Sequence, residues 1–286
     1  MTMAFQANPG LAGARVTWLG AFRSEFTKFR TLRSTFVILS IAAVILLGLW
    51  SIIAFGFGEA FRSGEAPSEF GQILDPLAIS LRSVWFAQLA IGVLGVTVVT
   101  NEYSTGMIRA TLAAVPGRTS VLLAKAATVV LMTLVVMIPA VFAAFFIGNT
   151  LLGDIPGARD LSDPGIIRAL VGAGLYLALV GLMGSIFGWL LRSSAGAIFA
   201  LVAVLILLPV ILPLIPLEWL SNLADYLPTA AGQAVYGVEV NQLAAMAGEM
   251  AGLTSRFDAW TGFAIFAAYV VVGFTLAAWV LNRRDA

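Results

Sequence analysis

Residues 101–125 read NEYSTGMIRATLAAVPGRTSVLLAK, a polar stretch set between two long apolar runs. It carries a short helical pattern of its own. Gly106 disfavours a helix running through it by about 1 kcal/mol relative to alanine. The spacing therefore predicts a new helix from Met107 to about Val115, started by Thr105 or Gly106. Ile108, Leu112 and Val115 fall on one face of it and Arg109 points elsewhere. Pro116-Gly117 reads as a turn, and Thr119 or Ser120 as the cap of the helix that follows. About nine residues are fewer than the roughly 12–15 at which an isolated helix holds together. The segment needs a surface to pack on, either its own bundle or a partner.

The runs on either side are of membrane-span length. A bilayer core takes about 20 residues of helix, and six stretches qualify: 36–57, 83–100, 120–148, 166–191, 195–215 and 259–281. The expected fold is an all-α membrane protein. An even number of spans puts both termini on one side. Arg15, Arg23, Lys28, Arg30, Arg33, Arg109, Arg118, Lys125, Arg192, Arg283 and Arg284 flank the spans on the side of the N-terminus. Arg62, Arg82, Arg159, Arg168 and Arg256 flank them on the other. Lysine and arginine accumulate on the cytoplasmic side, so both termini and residues 101–125 are expected there.

Residues 1–12 read as a tail. From Gly13 to Arg33, Leu19, Phe22, Phe26 and Phe29 recur on one helical face, with Arg23, Lys28 and Arg30 off its centre. A basic amphipathic helix with phenylalanines on one side suits the membrane surface. The alternative is a cytosolic helix packed on a partner. At the other end of the chain, residues 216–258 are broken and acidic yet rich in apolar residues. They predict short helices that dip into the outer leaflet or cap the bundle.

Within the spans, Pro139, Pro209 and Pro213 predict kinks. Gly184 and Gly188 form a small-xxx-small pair that lets another helix approach closely, either within the chain or in a second copy. No acidic residue lies in the middle of a span, which speaks against proton-coupled transport. Arg82, Lys125 and Arg168 sit near span ends, where long cations snorkel to the interface. Gln88, Thr97 and Thr133 read as interhelical hydrogen-bonding groups.

Composition narrows the function. The chain is 60% hydrophobic and 11% charged, with a net charge of +1. A soluble fold could not hide that much apolar surface, and nucleic acid is not an expected partner. There is no cysteine or histidine, which removes thiol and histidine catalysis and the usual zinc and haem sites. No GxxxxGK[ST] loop is present; the nearest string, VPGRTS at 115–120, lacks the first glycine and the lysine. The chain is not expected to be an enzyme or to hold a cofactor. If it works against a gradient, a partner must supply the ATP chemistry.

Four features resemble the permease subunits of type-2 ATP-binding-cassette (ABC) transporters. They are RSEFTKFRTLRST before the first span, NEYSTGMIRATLAAVPGR after the second, YLPTAAGQAVY before the last, and the six-span plan with the N-terminus inside. The resemblance implies a bacterial plasma-membrane exporter in which two permeases, identical or sisters, join two cytoplasmic ATPase subunits that carry ATP and magnesium. It implies that the entry helix lies along the inner leaflet. It also implies that the helix after the second span docks on the ATPase, with Glu102, Gly106, Met107, Ile108, Arg109 and Leu112 forming or orienting the docking surface. Met107 stands where many relatives have threonine, which removes one capping hydroxyl. No substrate residue is implied. Two other classes compete: a stand-alone carrier or channel, which the proline-broken fifth span would suit, and a membrane scaffold or sensor, which would need a sizeable soluble domain.

Overall fold

The computed structural model describes residues 17–64, 76–115, 117–153, 159–238 and 256–283. Among these residues the secondary structure is helical, without strands. Six helices are long and apolar enough to cross a membrane. Helix α1 (Trp18–Thr31) is followed after one residue by α2 (Arg33–Arg62), the first span. The short α3 (Pro76–Ser80) leads into α4 (Ser83–Ser104), the second span, and then α5 (Met107–Ala114). The third and fourth spans are α6 (Arg118–Leu152) and α7 (Ile166–Leu191). The fifth span, Ser194–Leu214, begins as α8 (Ser194–Val202) and ends in irregular turns. Two short helices, α10 (Glu218–Asp225) and α11 (Pro228–Gln233), precede the last span, α12 (Ala259–Arg283). The expected tail at 1–12 and parts of the loops at 58–81 and 216–258 fall outside the described residues.

The first, second, third and last spans are longer than their apolar runs. At about 1.5 Å per residue, the 35 residues of α6 reach roughly 50 Å, beyond the ~30 Å hydrocarbon core. The excess carries polar side chains out of the lipid. The end of the bundle where α1 and α5 lie is called proximal below, and the opposite end distal.

Helices α4 and α7 form the centre. In their apolar windows 61% and 67% of residues are buried, against 17–39% in the other four spans. Glycine lets the two backbones touch. A Cβ added at Gly95 would sit 1.9 Å from the Gly181 carbonyl oxygen, and one at Gly184 would sit 2.1 Å from that of Gly92. A Cβ at Gly188 would meet Val99 at 2.9 Å. The Gly184–Gly188 pair thus packs within the chain. Around this centre α2 lays Leu39, Leu46 and Trp50, and α6 lays Val129, Met137 and Phe145, all buried in one core.

Pro139 lies inside α6, which continues through it as one helix. The fifth span breaks as expected, and the cause is visible. Its α8 passes into a π-helical turn (Ala203–Leu207), then α9 (Leu208–Ile211) and a 3-10 turn (Leu212–Leu214). Pro209 has no N–H to give to Leu205 four residues earlier. The hydroxyl of Thr229, on α11, donates to the Leu205 carbonyl at 2.9 Å instead. Breaks inside membranes survive only where such a group re-satisfies the backbone.

The distal cap is firmly packed. Pro228, Thr229, Ala231, Gly232, Val235 and Tyr236 are buried. Arg168 donates to the carbonyls of Val235 at 3.0 Å and Gly237 at 2.9 Å. It therefore ties the cap to α7, and that contact replaces the free snorkelling read from its position. Tyr176 donates to Gln88 across α7 and α4, the interhelical bond expected of that glutamine. Thr97 instead bonds within its own helix, to the Leu94 carbonyl.

Candidate functional site: a buried charge network at the root of a short helix

Gly106 starts α5 with φ 71°, in the left-handed region, and no side chain caps the helix. This backbone suits glycine, and it turns the chain sharply off the end of α4. The following span starts at Arg118 behind Gly117, without a side-chain cap, so neither Thr119 nor Ser120 serves as the cap. Pro116 is outside the described residues.

Helix α5 rests on the bundle by one face. Ile108 is 3% exposed and sits in a second apolar cluster with Val99, Val121, Leu122, Trp189, Ala277 and Leu281. Leu112 and Val115 pack at its edge. The opposite face is open: Met107 (41% exposed), Arg109, Ala110 and Ala113. Of the residues grouped as forming or orienting a docking surface, Met107 and Arg109 are presented outward, whereas Glu102 and Ile108 are turned inward. Leu112 is half-buried and Gly106 is exposed at the turn.

Beneath α5 four charged side chains meet. Lys125 of α6 places its Nζ 2.6 Å from Glu25 Oε2 of α1 and 2.9 Å from Glu102 Oε1 of α4. It also donates to the Val98 carbonyl at 3.3 Å. Lys28 of α1 sits 2.7 Å from Glu25 Oε1 and 2.9 Å from Glu102 Oε1, and donates to Thr111 Oγ1 of α5 at 3.2 Å. The two positive and two negative charges cancel, and α1, α4, α5 and α6 are joined through them. Glu25, Glu102 and Lys125 are 5%, 3% and 2% exposed. Lys125 therefore does not snorkel: two carboxylates hold it inside the protein, and its short route to them outweighs the longer one to water. Breaking such a pair strands a buried charge at a cost of about 3–5 kcal/mol.

The electrostatics of α1 follow from this geometry. Burial pushes the Glu25 carboxyl up, but the Lys125 and Lys28 ammonium groups outweigh it, and the net position is below the ordinary 4.5. Burial pulls Lys28 down, yet its bonds to Glu25 and Glu102 hold it above 10.5.

The aromatic stripe of α1 lies beside this polar seam. Trp18, Phe22 and Phe26 stack at 5.7 and 6.2 Å between ring centroids. Leu19 is exposed, Phe22 and Phe26 are half-buried, and Phe29 is buried in the main core. The buried stripe of α1 is Ala21, Glu25 and Phe29, one turn-position away from the stripe read in the sequence. A charged residue sits at its centre because charges on α4 and α6 await it. Further links close the proximal end. Arg118 donates to the Leu281 carbonyl at 2.7 Å, joining the third span to the last. The Tyr103 ring meets Trp189 edge-on at 6.0 Å and lies 5.2 Å from the Arg192 guanidinium carbon.

Glu25, Lys28, Thr111 and Lys125 were not grouped by sequence reasoning. The signal was present in part. Glu102 and Lys125 are charges placed where apolar runs end, and Glu25 falls on the helical face that also holds Phe29.

Six apolar helices, two of them packed together through glycine at the centre, with a short helix rooted in buried charge at one end, define a multi-pass membrane protein. The family model for ABC-2 family transporter proteins matches residues 21–215, about two thirds of the chain. The chain belongs to that family, as a permease of an ABC transporter that associates with ATP-binding subunits. The match spans α1 through the fifth span, and so includes the charge network and α5. No curated protein matches the chain.

Proposed function

We infer that the chain is the membrane half of an exporter in a bacterial plasma membrane, with both termini cytoplasmic. It works as a dimer and is driven through α5 by separate ATPase subunits. Those subunits hold the ATP and magnesium. The outward face of α5, with Met107, Arg109, Ala110 and Ala113, is the surface offered to the ATPase. The orientation follows the cation count along the sequence, and the direction of transport follows the family resemblance.

One observation carries the coupling reading: Lys28 bonds to Thr111 on α5 and to Glu25 and Glu102 at once. A force on α5 therefore reaches the second and third spans through polar contacts that break only at a cost. Helix α1 moves with them, as the element lying along the membrane surface.

The test is co-purification of a co-expressed ATP-binding subunit with surface variants of α5. Met107→Asp and Ala110→Asp place a charge on the open face and should lower ATPase recovery by about tenfold or more, with the thermal unfolding of the permease unchanged. Ile108→Asp should unfold the proximal end, because it buries a charge. An ATPase that stays bound and coupled in both surface variants removes the docking assignment. Gradient-driven transport by the chain alone in proteoliposomes would make it a stand-alone carrier.

A further inference from the structure

Only two residues, Arg192 and Ser193, join α7 to α8 at the proximal end. Arg192 closes α7, its N–H donating to the Gly188 carbonyl at 3.0 Å, and its φ is 52°. Among the described residues it is the one non-glycine residue with positive φ. A helix end in the left-handed region ordinarily takes glycine, because a Cβ there crowds the backbone. Glycine would make this turn without strain, so what the arginine adds is its side chain.

That side chain reaches the end of the second span. Its guanidinium carbon lies 5.2 Å from the centre of the Tyr103 ring, inside the roughly 6 Å at which a cation is attracted to an aromatic face. Trp189, three residues earlier on α7, meets the same ring edge-on at 6.0 Å. The Tyr103 hydroxyl makes no hydrogen bond among the described residues, so the ring is what holds the turn. Three residues before Tyr103 on α4, Thr100 accepts a hydrogen bond at 2.7 Å from the hydroxyl of Ser194, the first residue of α8. Thr100 and Tyr103 therefore grip the turn from both of its sides.

The same residues lead back to α5. Trp189 belongs to the apolar cluster that holds Ile108. Tyr103 precedes by three residues the Gly106 at which α5 turns away. The elbow is thus joined to the turn between α7 and α8 by apolar, aromatic and polar contacts, none of which uses Glu25, Lys28, Glu102 or Lys125. The fifth span is shaped to respond. Its α8 lies close against α4, where a Cβ added at Gly92 would collide with Leu201. Beyond Val202 it passes into the π-helical turn at Ala203–Leu207, and such turns are where helices bend. Within that turn the Leu205 carbonyl is held from the distal cap by Thr229.

We propose that Thr100, Tyr103 and Arg192 form a clasp that carries movement of α5 to the fifth span, so that α8 follows the elbow and bends about the π-helical turn. They are positioning residues, acting through the turn between α7 and α8. The clasp rests on the reading of α5 as the element that the ATP-binding subunit drives.

The test uses single thiols, since the chain has no cysteine of its own. Ser104→Cys reports the elbow and Ala195→Cys the first turn of α8; both positions are exposed. Each is placed in the complex with a co-expressed ATP-binding subunit, in nanodiscs. The rate of maleimide labelling is read on the permease band, without nucleotide and after trapping with ATP, magnesium and vanadate. In the parent chain both rates should change on trapping. In Thr100→Val with Arg192→Gly the change at position 195 should be lost while that at position 104 remains. Glycine keeps the left-handed turn, so thermal unfolding followed by tryptophan fluorescence should stay close to that of the parent. Tyr103→Leu should also lose the response at 195. Tyr103→Phe keeps the ring, and Thr100→Ser with Arg192→Lys keeps the hydroxyl and the cation; both should retain it. A response at 195 that survives in the double variant and in Tyr103→Leu overturns the proposal, and so does a parent chain that responds at 104 but not at 195. A parent chain that does not respond at 104 overturns instead the reading of α5 as the driven element, and the clasp with it.

Discussion

Lys125 on the third span holds Glu25, one hundred residues earlier on α1, at 2.6 Å. The same ammonium also reaches Glu102 on the second span at 2.9 Å. Removing it should therefore be worse than removing the group it shares. Lys125→Met strands carboxylates in a buried site and is expected to cost about 3–5 kcal/mol. Adding Glu25→Gln should recover part of that loss, because it removes one stranded charge. Thermal unfolding in detergent, followed by tryptophan fluorescence, measures the cycle; strictly additive losses would show that the two groups do not interact.

The network also sets a pH window. Glu25 lies below its ordinary 4.5 in the folded chain. Its contribution is complete above that value and lost as pH falls through the lower folded one. Lys28 lies above its ordinary 10.5. Its contribution is complete below 10.5 and lost as pH rises through the higher folded value. Stability should be flat between about pH 5 and 10 in this respect and fall on both sides. Glu25→Gln should flatten the acid limb of a melting temperature against pH curve, and an unaltered limb would contradict the assignment.

Thr229 closes the gap that Pro209 opens in the fifth span. Thr229→Val should leave the Leu205 carbonyl unpaired within the protein and cost about 1–3 kcal/mol. Thr229→Ser keeps the hydroxyl and should restore most of it. Equal melting temperatures for the valine and serine variants would show that the bond contributes nothing.

Two glycine substitutions separate close packing from helix propensity. Gly95→Ala drives a methyl group into the Gly181 carbonyl and should destabilise by about 1–3 kcal/mol. At Gly48, in α2, an added Cβ meets nothing within 4 Å. There alanine should be neutral or stabilise by roughly 0.5–1 kcal/mol. Equal responses would mean that α4 and α7 do not touch as described.

The sequence alone determined the number of the spans, the break at Pro209 and the separate helix after Gly106. These depend on contacts within one helix. A span must satisfy its own backbone in lipid, so its length and composition announce it. The tertiary structure alone decided which charges meet. Glu25, Lys28, Glu102 and Lys125 come from three helices, and their meeting depends on the rotation and depth of each helix. Those are set by packing, above all by glycines that let α4 and α7 approach. In the same way Ile108 is an anchor because α12 and α7 bring Leu281 and Trp189 beneath it. Periodicity identifies an apolar face but not what will cover it. In α1 it marked the aromatic stripe, while packing turned Glu25 inward, because only the folded chain has two lysines there to receive it.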